Sequence, residues 1–144
     1  MANPFVHVEL MTSDVAKAKA FYSGLFDWKL EDVPGMDYTM INVGEGTGGG
    51  MMKTLQPDSP SCWMSYVAVD DVAVATEKAR SLGATICKEV TEIPGVGWFS
   101  VITDPTGAIP ALWQMDRPAG SLRRERQRRR KRRPNGPPCE GCVA

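Results

Sequence analysis

A strand that runs straight into a helix occurs twice in this chain, 57 residues apart, and this repeat limits the fold more than anything else in the sequence. The first copy is FVHVELMTSDVAKAKAFYSGLF, Phe5 to Phe26. The second is WMSYVAVDDVAVATEKARSLG, Trp63 to Gly83, in which Asp71-Val72-Ala73-Val74-Ala75 echoes Asp14-Val15-Ala16-Lys17-Ala18. Two copies of one supersecondary unit follow from such self-similarity. Alternation in the first copy puts Phe5, His7, Glu9 and Met11 on one strand face and Val6, Val8 and Leu10 on the other. The purely aliphatic face should meet the helix, where Val15, Ala18, Tyr22 and Leu25 keep helical spacing and Phe21 and Phe26 widen the stripe. Ser13 or Asp14 can cap that helix. The opposite face carries the chain's single histidine two residues from a glutamate.

Each copy is followed by three short strand signals. In the first unit, a strand over 3–11 and a helix over 14–26 lead to strands over 28–33, 37–43 and 51–55. Pro34-Gly35 and glycines 44, 46, 48, 49 and 50 act as breaks. Residues 56–61, QPDSPS, read as a linker. The second unit repeats the order, with a strand over 62–70 and a helix over 71–82 that ends at Gly83, a plausible C′ residue. Strands follow over 84–92, 98–103 and 109–115, and Asp104-Pro105-Thr106-Gly107 marks a turn. The order is βαβββ twice, an α+β fold, with helices too sparse for a doubly wound sheet.

Zero net charge hides an uneven distribution. Residues 1–117 carry 8 basic and 15 acidic side chains, a balance of −7, whereas residues 118–144 carry 9 and 2, a balance of +7. The expected organisation is one domain over 1–117, with modules 1–56 and 61–117, and a disordered basic tail over 118–144. Arg123 to Arg133 would suit a polyelectrolyte arm for nucleic acid, but a simply solvated, non-family extension, even a frameshift-like end, is the favoured reading. Cys139 and Cys142 form only half of a zinc-finger ligand set. The N-terminus lacks a basic n-region and a long apolar run, and no stretch approaches a membrane span. A cytoplasmic protein with reduced cysteines is therefore expected.

The strand end HVELMTSD, the helix end AFYSGLFDW, YVAVDDV, the stretch EIPGVGWFSVITDPTGA and the closing ALWQ together resemble the vicinal oxygen chelate superfamily. This superfamily includes glyoxalase I, extradiol dioxygenases, and the fosfomycin and bleomycin resistance proteins. The resemblance covers about residues 4–116 and implies two βαβββ modules curling into a barrel-like mixed sheet around a central pocket, within one chain or across a homodimer. Metal-dependent members place ligands on the first and last strand of each module. Those positions fall here on His7, Met64, Ala111 and about Gly50, so only His7 keeps a family ligand type. A divalent metal needs about three protein donors, and the expectation is no metal and no other cofactor.

His7 and Glu9 are the candidate catalytic pair, His7 as a base or hydrogen-bonding group beside the carboxylate; a lone strand histidine is otherwise a satisfied core residue. Phe5, Met11, Met52, Met64, Tyr66 and Trp113 are expected to line a wall for a flat or greasy ligand, with Met40 and Trp98 depending on strand parity. Two functions follow from the resemblance. One is a bleomycin-resistance-type sequestration protein without the complete metal site. The other is a metal-dependent lyase, isomerase or dioxygenase.

Overall fold

The structure, a computed structural model, describes residues 2–116. The first module runs β1 (Phe5–Thr12), α1 (Val15–Leu25), β2 (Lys29–Asp32), β3 (Tyr38–Asn42) and β4 (Gly49–Lys53). The second runs β5 (Cys62–Ala68), α2 (Val72–Ser81), β6 (Thr85–Ile93), β7 (Gly97–Thr103) and β8 (Ala111–Met115). The basic segment 118–144 lies outside the described residues. Matching residues start both helices: Asp14 accepts a hydrogen bond from the Lys17 amide at 2.9 Å, and Asp71 accepts one from the Val74 amide at 3.1 Å. These bonds satisfy amides that a helix start leaves unpaired. Gly83, at φ 98°, turns the chain out of α2 in a left-handed conformation that a Cβ would disfavour.

All eight strands join one curved sheet in the order β2-β3-β4-β1-β5-β8-β7-β6. Within each module the first and last strands are parallel, β1 with β4 and β5 with β8, and the remaining pairs are antiparallel. The modules meet edge to edge where β1 and β5 pair antiparallel. Strand register makes the internal symmetry explicit. Glu9 faces Gly50 as Tyr66 faces Ala111, Met40 faces Gly50 as Val101 faces Ala111, and Glu31 faces Met40 as Lys88 faces Val101. His7 and Met64 are therefore equivalent, as are Glu9 and Tyr66.

Both helices cover the same face of the sheet. Leu10, Ile41 and Met51 are buried under α1, with Val15, Ala18, Tyr22, Trp28, Leu30 and Val43 packed around them. Fully burying one such aliphatic side chain contributes about 1.5–3 kcal/mol. Under α2 the contact is partly polar: the Thr76 hydroxyl lies 2.8 Å from that of Ser100, and both residues are buried. The other face carries no helix among the described residues. None of the described helices is long and apolar enough to cross a membrane.

Most element boundaries shift by one or two residues from the sequence reading, and one shift has a steric cause. The glycine run was expected to break the chain before a strand at Met51, yet β4 begins at Gly49. A Cβ at Gly49 would overlap the Val8 carbonyl. The glycines thus work inside the strand, letting the parallel β1–β4 pair close, and their low strand propensity is overridden by that contact.

Candidate functional site

The helix-free face owes its chemistry to β1. His7 and Glu9 point there together because they are two residues apart, and each meets a phenol from another strand, Tyr66 from adjacent β5 and Tyr38 from β3 across β4. His7 Nε2 lies 2.7 Å from the Tyr38 hydroxyl of β3. The Tyr66 hydroxyl of β5 donates to Glu9 Oε2 at 3.0 Å. That second bond joins two symmetry-equivalent positions, so the two modules are tied across their own axis. The His7 ring also sits edge-on to Tyr66, with centroids 5.2 Å apart.

Tyr38 reaches His7 because β4 gives way. Gly50 pairs with Met40 and Glu9, and a Cβ there would overlap the Tyr38 hydroxyl. The space that a side chain from this strand would take is filled by the phenol from the next one.

Burial sets the electrostatics. Glu9 is 5% exposed, and desolvation pushes its carboxyl above the usual carboxylate range, opposed by hydrogen bonds from Tyr66 and Tyr38. His7 is held below its ordinary value by burial and favours the neutral imidazole. Both phenols are pushed up, first by burial and then by the nearby Glu9 charge. A phenol has one proton to give. When Tyr38 gives it to Glu9, its oxygen accepts from His7 Nε2–H, which fixes the tautomer.

These shifts give a pH dependence with two opposed parts. Raised Glu9 stabilises the fold most below the ordinary carboxylate pKa, and that contribution is lost as pH rises through the folded pKa. Lowered His7 does the reverse, its contribution being complete above about pH 6.5 and lost as pH falls. Gln at position 9 keeps an acceptor for Tyr66 and removes the charge. Glu9→Gln should therefore gain stability relative to the parent as pH goes from about 5 to about 8, measured by urea unfolding. A constant difference across that range would show that Glu9 titrates normally.

The second module supplies an apolar wall. Met64, Tyr66 and Ala111 are buried together, with Met11, Phe99, Val101 and Trp113 packed against them. Met52 stands in register beside Met11 and Tyr38. Of the residues picked from sequence, His7, Glu9, Met11, Met52, Met64, Tyr66 and Trp113 share this face, and Met40 joins them at its edge. Two do not fit. Trp98 lies on the helix side, alternating with Ser100, which bonds Thr76 of α2; Phe99 takes the inner place. Phe5 was expected beside His7, but a register shift between them breaks the alternation and leaves Phe5 opposite Val67 and 65% exposed. Tyr38, Phe99 and Val101 were missed. Parity in β3 and β7 is ambiguous by composition, since both faces carry large residues, and only pairing to β4 and β8 resolves it. A shallow depression of about 350 Å³ adjoins the face at the first module's rim, lined by Glu31, Met40 and the 44–48 glycine turn among others.

The family profile described as Glyoxalase/Bleomycin resistance protein/Dioxygenase superfamily matches residues 5–109. The chain belongs to this superfamily. It is 35% identical over 122 residues to CFP32 of Mycobacterium bovis, provisionally named a glyoxylase, covering 79% of this chain and 46% of that protein. It is 28% identical over 123 residues to the anthracycline biosynthesis protein DnrV of Streptomyces peucetius, covering 74% of this chain and 45% of that one. The chain thus spans just under half the length of these curated relatives. Among solved structures, methylmalonyl-CoA epimerase from Mycobacterium tuberculosis superposes with a TM-score of 0.58 at 16% identity, covering 78% of this chain and 88% of the other. At that identity the likeness concerns the fold.

Proposed function

We propose that this superfamily domain binds a flat, partly apolar organic molecule on its helix-free face, without a family-type metal ion, in the manner of a sequestration protein. The donor set carries this reading. The four positions that hold ligands in metal-dependent relatives are His7, Met64, Ala111 and Gly50, and one imidazole cannot fix a zinc or nickel ion. Among the described residues no group of three His, Cys, Asp or Glu side chains could hold a metal. At Gly50, a phenol occupies the space a ligand side chain would need. What remains is an apolar wall facing a hydrogen-bonding one, the usual make-up of a small-molecule site. The anthracycline-related name of one relative fits a flat polycyclic ligand.

Metal analysis of the full chain tests this, with Cys139 and Cys142 replaced by serine to remove the C-terminal thiols. Dialysis against chelator should leave far less than one metal per chain. About one equivalent that resists chelator and disappears in His7→Ala would sink the metal-free reading. It would favour the metal-dependent lyase, isomerase or dioxygenase instead. One observation favours catalysis even without metal: Glu9 and His7 are joined through the Tyr38 phenol, which can pass a proton. The proposal includes a cytoplasmic homodimer. In its support, nine-residue β6 is an edge strand with one side unpaired among the described residues.

A further inference from the structure

Register pairs the two modules position by position, and the pairs differ in a consistent way. On the helix-free face the first module presents His7, Tyr38 and Glu31, where the second presents Met64, Phe99 and Lys88. The two rims therefore carry opposite charges at equivalent places. Lys88 sits over the apolar wall, its ammonium 5.6 Å from the centre of the Phe99 ring. It makes no ion pair among the described residues. The nearby acids of its own strand are directed elsewhere: Glu89 binds Arg80 of α2 at 2.8 Å, and Glu92 lies opposite Trp98, on the helix side.

We infer that the ligand of this face is an organic anion, an aromatic carboxylate or similar, whose acidic group is held by Lys88 at the second module's rim and whose hydroxyl or carbonyl end meets His7 and Tyr38. The inference rests on the proposed small-molecule function and adds the ligand's charge and direction. Three features set that direction. The ammonium over Phe99 lies where a ring stacked on the apolar wall ends, so a charged substituent there meets a cation that already faces an aromatic surface. Glu31 at the opposite rim, with Glu9 between, disfavours the reversed orientation through like-charge repulsion. The imidazole of His7 and the phenol of Tyr38 both belong to the first module, where an uncharged polar group is satisfied without burying a second charge.

The test compares two probes, a hydroxynaphthoate and its uncharged carboxamide, binding to the full-length chain and to Lys88→Met and Lys88→Arg. The basic C-terminal segment is present in every protein, so its attraction for anions cancels between variants. The parent should bind the carboxylate roughly fivefold more tightly than the amide at low salt, the scale of one partly exposed ion pair, with the preference shrinking as salt rises. Lys88→Met, which keeps an apolar stem over Phe99, should erase the preference by lowering carboxylate affinity more than amide affinity. Lys88→Arg should retain it. If the amide binds but the carboxylate binds no better, or the preference survives in Lys88→Met, the assignment to Lys88 is wrong while small-molecule binding stands. If neither probe binds, the binding function itself fails, and this inference with it.

Discussion

Gly49→Ala should strongly destabilise this domain. The new Cβ would overlap the Val8 carbonyl, which is backbone and cannot rotate away. Relief requires β4 to separate from β1, the parallel pair that holds the first module together. Overpacking against a fixed neighbour costs about 3 kcal/mol, or roughly 10 °C in melting temperature for a domain of this size. Gly24→Ala is the control, because it lies in α1 with nothing within 4 Å of the added Cβ. That change should be neutral or stabilising by about 0.5–1 kcal/mol, since alanine is the better helix former. Equal melting temperatures for the two variants would mean that β1 and β4 are not so closely apposed.

Gly50→Ala should leave the fold standing and dismantle the site. Its Cβ meets the Tyr38 hydroxyl rather than backbone, so the ring swings out and the β1–β4 pair survives. The cost to stability is about 1–3 kcal/mol, because His7 loses its phenol partner and buried Glu9 keeps only Tyr66. Affinity for an aromatic probe should fall roughly tenfold, and Tyr38→Phe should lose less because its ring still fills the wall. In the parent, Tyr38 should titrate well above an ordinary phenol by ultraviolet absorbance; in Gly50→Ala it should return toward the ordinary value of about 10. A Gly50→Ala protein that binds the probe as tightly as the parent would remove Tyr38 from the site.

The two glycines, adjacent in sequence and in one strand, show how far reading the sequence can go. A run of five glycines within seven residues reads as a break, because local preference is all that a sequence displays. Whether such a glycine ends a strand or admits a neighbour depends on what approaches it from elsewhere in the chain, the carbonyl of Val8 at Gly49 or the phenol of Tyr38 at Gly50. Trp98 and Tyr38 were lost for a related cause. In β7 and β3 both faces hold large side chains, so alternation exists but its phase does not show until a partner strand fixes it.

By itself the sequence determined the two-module plan, because the repeat and the alternation in β1 are local and mutually consistent. It also determined that His7 and Glu9 share a face, since residues two apart on an unbroken strand must. Tertiary structure decided what those two residues touch. The pairing of β1 with β5 set Tyr66 on Glu9, and the β3–β4 register brought Tyr38 over Gly50 to His7. Placing Glu31 and Lys88 on opposite rims needed both modules joined in one sheet. Side-chain direction within a strand is a matter of counting, but contact between strands is set by register, which only the assembled sheet fixes.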